Sequence, residues 1–176
     1  MLLFIDQKTV NEVPPLRAMW APIGTQARVP IVAAHDVRVL NCVLSIQSGD
    51  AVLHLSERYR SADFQAILHL VRSHWRGWHI VLFLDKHPAQ WAVASRQLAR
   101  QLGIQLWWLP AASPELNVVD QLWRRVIDKA LANEPTPTLQ ATVERLMQHI
   151  RDMRPQERRR QAGILSDSFW LAKLLK

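Results

Sequence analysis

At 176 residues and 49% hydrophobic composition, the chain has the size and apolar content of one compact domain and is too apolar to stay disordered. No apolar run approaches the ~20 residues of a membrane span. The opening Met1-Leu2-Leu3-Phe4-Ile5-Asp6 lacks the basic start of a signal peptide, and the single cysteine, Cys42, excludes an internal disulfide or a cysteine zinc cluster, so a cytoplasmic protein is expected. The 22 Lys and Arg against 15 Asp and Glu give a formal charge of +7, carried mostly by arginine, which suits a polyanionic partner such as nucleic acid.

In chain order, residues 2–5 read as a short buried strand ending in Asp6. Five proline and glycine positions between Pro14 and Pro30 mark a loop-rich stretch. Residues 37–46 and 51–55 read as two strands, with Ser48-Gly49-Asp50 as the hairpin turn between them. Ser61 is placed to cap a helix over 61–75, with Phe64, Ile67, Leu68 and Val71 on its apolar face. Residues 78–84 form a second buried strand ending in an acid, Asp85. Pro88 opens a helix over 88–102 that Gly103 terminates. A third buried strand covers 104–109, a turn 110–114, and a helix 116–132 with Leu116, Val119, Leu122, Trp123 and Val126 inward. Pro135 and Pro137 separate it from a helix over 139–153. The domain is read as residues 1–153, with 154–176 as its helical tail: a basic helical piece, then an apolar end containing Phe169 and Trp170. Early hairpins followed by strand–helix alternation predict a mixed α/β sheet with helices on both faces.

Asp6 and Asp85 each end a buried strand. In α/β sheets, ligands gather beyond the carboxyl ends of parallel strands. If the two strands are neighbours, their carboxylates converge and repel, and a divalent cation between them removes that cost. Oxygen ligands suit Mg²⁺ or Mn²⁺. Asp120, early in a helix after a turn, is placed to complete such a site, and the three carboxylates are expected in one cluster. The plainer reading makes Asp6 and Asp85 turn residues and Asp120 an acid favoured by the helix dipole.

The stretch Leu109-Pro110-Ala111-Ala112-Ser113-Pro114-Glu115-Leu116-Asn117-Val118-Val119-Asp120-Gln121-Leu122-Trp123 resembles the signature of mariner-like and bacterial insertion-sequence transposases. In that family a strand leads into Pro-x-x-Ser-Pro-x-Leu-Asn-Pro-Ile, then an acid, then a Trp. Val81-Leu82-Phe83-Leu84-Asp85 is similar to the family's second acidic strand, and 34 residues separate Asp85 from Asp120, as in the mariner-type branch. Leu3-Phe4-Ile5-Asp6 and Trp20-Ala21-Pro22-Ile23-Gly24 resemble its opening strand and Trp-x-x-x-Gly turn. Ala132-Asn133 and the tail from Ala162 to Trp170 are similar to the bacterial branch. The chain departs from the pattern at Gln7, Lys86 and Val118. Its third acid is Asp, as in mariners, where the bacterial branch mostly has Glu.

The resemblance implies a ribonuclease-H-like fold and a DDE/DDD catalytic domain for metal-dependent DNA cleavage and strand transfer. It implies Asp6, Asp85 and Asp120 as ligands of two Mg²⁺ or Mn²⁺ ions, and double-stranded DNA, transposon ends and target, as partner. It also implies a bacterial protein, nucleoid-associated when bound to DNA, that lacks its helix-turn-helix region. That region would come from a homodimer or another partner, the chain being a split-frame product or a truncation. Lys86 beside the site would either contact a scissile phosphate or repel metal. Arg124 and Arg125 on the Asp120 helix, and Arg158 and Arg159 in the basic stretch from Arg151 to Arg160, are the candidate DNA contacts. A solvated charged face is the alternative for each. The tryptophans read as core and helix-packing residues, and His35, His54 and His74 as surface or hydrogen-bonded residues without zinc-binding spacing. Two further readings stay open: a decayed remnant that binds DNA or a transposase partner, and another ribonuclease-H-like nuclease acting on RNA–DNA hybrids or Holliday junctions.

Overall fold

The computed structural model describes residues 1–31 and 36–174; His35 lies outside them. Five strands form one sheet: β1 (Leu2–Asn11), β2 (Val37–Ser45), β3 (Ala51–Ser56), β4 (Ile80–Leu84) and β5 (Ile104–Trp108). Their spatial order is β3-β2-β1-β4-β5. The first three pair antiparallel, while β1–β4 and β4–β5 pair parallel. Helices α1 (Ser61–His74), α2 (Pro88–Trp91) and α3 (Val93–Gln101) form one group, and α4 (Val118–Leu131), α5 (Leu139–Asp152) and α6 (Pro155–Gln161) the other. The expected mixed sheet with helices on both faces is therefore present.

Side-chain alternation divides the interior into two cores. Leu3 and Ile5 of β1, Val43 of β2, and Ile80, Leu82 and Leu84 of β4 pack with Phe64, Ile67, Leu68 and Val71 of α1. Phe4, Leu40, Leu44 and Phe83 point the other way, onto Val119, Leu122, Trp123 and Val126 of α4 and Val143 and Leu146 of α5. The tail reaches this second core through Ala162, Ile164, Phe169 and Leu171. Arg158 fastens α6 in place: its guanidinium donates to the carbonyls of Ile150, Gly49 and Arg151. Gly49, at φ +77°, lies so close that a Cβ would overlap the Pro155 carbonyl.

Three local expectations need correction. Strand β1 does not stop before Asp6 but continues to Asn11, because β2 supplies an antiparallel partner out to Val37. The helix expected over 88–102 is two helices: Ala92, at φ −51° and ψ 139°, is extended, and the Ser95 hydroxyl donates to the Ala89 carbonyl across the break at 2.8 Å. Ser61 is the first residue of α1 rather than its cap. Asp63 instead accepts the Arg60 backbone N–H at 2.8 Å. The loop after β1 turns at Gly24, where the Thr25 N–H donates to the Pro22 carbonyl at 3.0 Å.

Candidate active site

Strand register places the first two acids. Phe4 and Phe83 are partners in the parallel β1–β4 pair, and their rings stack at 4.6 Å. Two residues further on come Asp6 and Asp85, so alternation sends both carboxylates to the face that carries α4. Strand β4 ends at Leu84, and Asp85 leaves the sheet there.

Asn117 places the third. Its Oδ1 accepts from the Val119 N–H at 3.0 Å, capping α4, and its Nδ2 donates to the Ile5 carbonyl at 3.0 Å. The first turn of α4, with Asp120, is thus fixed beside the strand that carries Asp6. Asp6, Asp85 and Asp120 line one cavity of about 370 Å³, together with Lys86, His87, Asn117 and the turn from Leu109 to Pro114.

The electrostatics of the cavity are those of part-buried acids whose only ion pair among the described residues is to the exposed Arg124. Burial first, and then the nearby Asp120 and Asp85 charges, push the Asp6 carboxyl up to about 7, against a hydrogen bond to the Gln7 backbone that lowers it. Asp85 Oδ1 and Asp120 Oδ2 are buried without a hydrogen-bond partner. Arg124 Nη2 lies 2.8 Å from that Asp120 oxygen, an ion pair without hydrogen-bond geometry on a guanidinium-bearing side chain 65% exposed. Among the described residues no three acidic, histidine or cysteine side chains converge into a ready metal cage. The three acids share one cavity, and Asp120 there is paired with Arg124. A buried carboxylate oxygen without a partner and an acid made hard to ionise by burial and then by its neighbours are the features a hard divalent cation satisfies. The residues present fit such an ion.

Behind Asp85 stands a polar wall that the sequence reading left without a role. The buried Gln90 donates from Nε2 to the Tyr59 hydroxyl at 3.1 Å, and the His87 ring sits 4.8 Å from the Tyr59 ring. His87 Nδ1 accepts the Ala89 N–H at 3.2 Å and caps α2. Burial, and then the Asp85 and Asp6 charges, raise the Tyr59 pKa above its ordinary value, against the hydrogen bond from Gln90. The cap-plus-Pro pattern His87-Pro88 was the available signal for His87, and Asn117 directly before an apolar helix was the signal for the α4 anchor. Nothing local marks Tyr59.

The candidate DNA contacts divide. Lys86 lines the cavity and Arg124 pairs with Asp120. Arg125 donates to the carbonyls of Arg160 and Gln161, at 2.9 and 3.0 Å. Arg158 is the α6 fastener, and Arg159 is half-buried with its Nε unpartnered. Arg125 and Arg158 thus hold main chain, a task the sequence did not indicate. No helix of the described residues is long and apolar enough to cross a membrane.

A family model described as DDE superfamily endonuclease matches residues 1–143. Among solved structures, the mariner Mos1 paired-end complex with Mg is similar at TM-score 0.75 and 19% identity, covering 99% of this chain and 54% of that one. The Mos1 transposase paired-end complex with left transposon end gives 0.73 and 16%, covering 96% and 53%. The catalytic domain of Mos1 mariner transposase gives 0.66 and 16%, covering 93% and 76%. These likenesses establish the ribonuclease-H-like fold. The chain spans about half the length of the transposases in the two paired-end complexes. No curated protein sequence matches it.

Proposed function

Because the chain belongs to the DDE superfamily of endonucleases, we propose that it is a transposase catalytic domain that cleaves DNA strands and transfers them through Asp6, Asp85 and Asp120. The observation that carries this reading is the cavity the three acids line, with Asp85 Oδ1 buried and unpartnered and Asp120 Oδ2 buried against Arg124 alone. The carboxylates would hold Mg²⁺ or Mn²⁺, two ions per site. Bound there, the cations acidify an attacking water or 3′-hydroxyl and stabilise the departing oxygen. Double-stranded DNA, as transposon end and as target, is the substrate this chemistry takes. The Mos1 structures, solved with Mg, with Mn and with a transposon end, support that choice. A helix-turn-helix region, in a second copy or a separate chain, would supply end recognition.

The chain's own residues each have a task in this scheme. Asp6 and Asp85, side by side on parallel strands, form the rigid floor. Asp120 closes the third side once it leaves Arg124, and the released guanidinium then stands at the rim, where a phosphate oxygen can accept from it. Lys86, which lines the cavity, meets the scissile phosphate as a point charge. The wall of Tyr59, His87 and Gln90 excludes water from behind Asp85 and limits its rotation.

The test is nicking and strand transfer on supercoiled plasmid with Mn²⁺, comparing the wild-type chain with Asp85→Asn. Activity that requires the metal and falls at least a hundredfold in the variant is the expected result. A second reading, a remnant that binds without cutting, draws on the Arg124–Asp120 pair and the absence of a ready three-ligand cage. Calorimetric titration with Mn²⁺ separates the two. An Asp85-dependent affinity supports the enzyme. Its absence, together with no nicking when a helix-turn-helix partner is added, supports the remnant.

A further inference from the structure

A second groove, of about 270 Å³, lies between α3 and the edge strand β5. Arg96, Arg100, Gln105 and Trp108 line it, and no acid does. Arg100 is exposed and pairs with no acid among the described residues. Arg96 is held in place. Its Nε donates to the Trp91 carbonyl at 3.0 Å, and its guanidinium lies 4.9 Å from the centroid of the Trp91 ring. Its terminal nitrogens remain for a ligand.

Trp91 joins this groove to the acid cavity. It is 46% exposed, meets Trp108 edge-on at 4.8 Å, and has Lys86 Nζ 6.0 Å from its ring centroid. Lys86 itself lines the acid cavity. From the acids outward the surface therefore runs Lys86, Trp91, Arg96 and Trp108, Arg100. Cations alternate with indoles, and no counter-acid is among the residues lining the groove.

We propose that this groove holds a single strand of nucleic acid continuing from the acid cavity, with phosphates on Lys86, Arg96 and Arg100 and bases against Trp91 and Trp108. The inference rests on reading the acid cavity as a phosphodiester site. Interleaved cations and aromatic surfaces fit a single strand, whose phosphates and base faces are both accessible. A duplex keeps its base faces stacked and offers phosphates alone. Because stacking accepts any base, the groove binds without sequence preference.

The probe is a fluorescein-labelled 12-nucleotide single strand of mixed sequence. Its binding is followed by anisotropy across a salt series in EDTA, with a 12-base-pair duplex and poly-glutamate as competitors. Arg100→Glu, at an exposed position without an intramolecular partner, is expected to weaken the single strand at least fivefold. Arg96→Ala with Arg100→Ala is expected to reduce the salt slope by about 1.4, two single-strand phosphate contacts at about 0.7 each. The charge-matched pair Arg151→Ala with Arg154→Ala is expected to change affinity less than twofold. A 5-iodouracil in the strand is expected to crosslink to Trp91 or Trp108. Equal losses from both arginine pairs, a duplex or poly-glutamate competing as well as the single strand, or a crosslink elsewhere each overturns the groove. No step requires metal or cleavage, so failed nicking would count against the proposed activity and leave the groove standing, while failed strand binding would do the reverse.

Discussion

Two basic regions of this molecule differ in what their arginines touch. On α6, Arg158 meets three carbonyls and closes the tail onto the Gly49 turn. Beside the acid cavity the exposed Arg124 has one contact, to a carboxylate, and in the groove along β5 Arg100 pairs with no acid among the described residues. The sequence shows the denser positive run around Arg158, yet the Arg158 charge is directed onto main-chain carbonyls, while Arg151, Arg154 and Arg160 stay exposed. Charge density along a chain thus says little about ligand binding; where each guanidinium finds its acceptors decides.

The largest effect that would break this contrast is expected at Gly49. Gly49→Ala combines a left-handed backbone with overlap on the Pro155 carbonyl and should cost about 3 kcal/mol in urea denaturation. A neutral result would show that α6 is not locked against the hairpin. Arg158→Ala should cost about 2 kcal/mol, since it orphans part-buried carbonyls, while leaving Mn²⁺ affinity unchanged. A change in metal binding without loss of stability would reverse the roles of the two regions.

The cavity should respond in the opposite sense. Asp6→Asn removes a buried acid that its surroundings disfavour, so at pH 8 without metal it should stabilise the protein by about 1–2 kcal/mol and abolish the Mn²⁺-induced rise in Tm. The pH dependence follows from the same group. Between its ordinary value near 4 and about 7, the folded chain keeps a proton that the unfolded chain has released. Metal-free stability should therefore decline as pH rises through that window and level off above it. Mn²⁺ affinity should climb over the same range as the metal displaces that proton. A flat stability profile would mean that Asp6 is not buried among like charges. The smallest effect is expected from Arg124→Ala: stability within about 0.5 kcal/mol, but Mn²⁺ affinity roughly threefold tighter as Asp120 loses its competing cation. Weaker metal binding would show that Arg124 positions Asp120 instead of competing for it.

Much of this arrangement was legible in the chain. Apolar runs fixed the strands, and the position of each acid after a Phe, as in Phe4-Ile5-Asp6 and Phe83-Leu84-Asp85, carried the shared parity that puts both on one face. Partner-dependent features were not legible. Asp6 lies within a strand because β2 extends the pairing, and no local signal in residues 7–11 requires it. The break at Ala92 arises where Ser95 donates to Ala89, a choice between hydrogen bonds that helix periodicity does not encode. The task of Arg125 depends on carbonyls 35 and 36 positions away, and that of Arg158 in part on one 109 positions away. Tyr59 joins the site only because α1 and α2 pack together.

The bond from Asn117 to the Ile5 carbonyl also bears on how such a chain can lengthen. It sets the start of α4 against β1 directly, so the position of Asp120 does not depend on the length of chain that arrives there from Asp85. The 34-residue interval between those two acids is in that sense slack rope between two fixed pegs. A few residues inserted at the exposed turn around Ala112, whose backbone already tolerates a φ of +55°, would lengthen the rope and leave the pegs where they stand. An insertion between Asn117 and Asp120 would rotate the acid off the cavity by about 100° per residue.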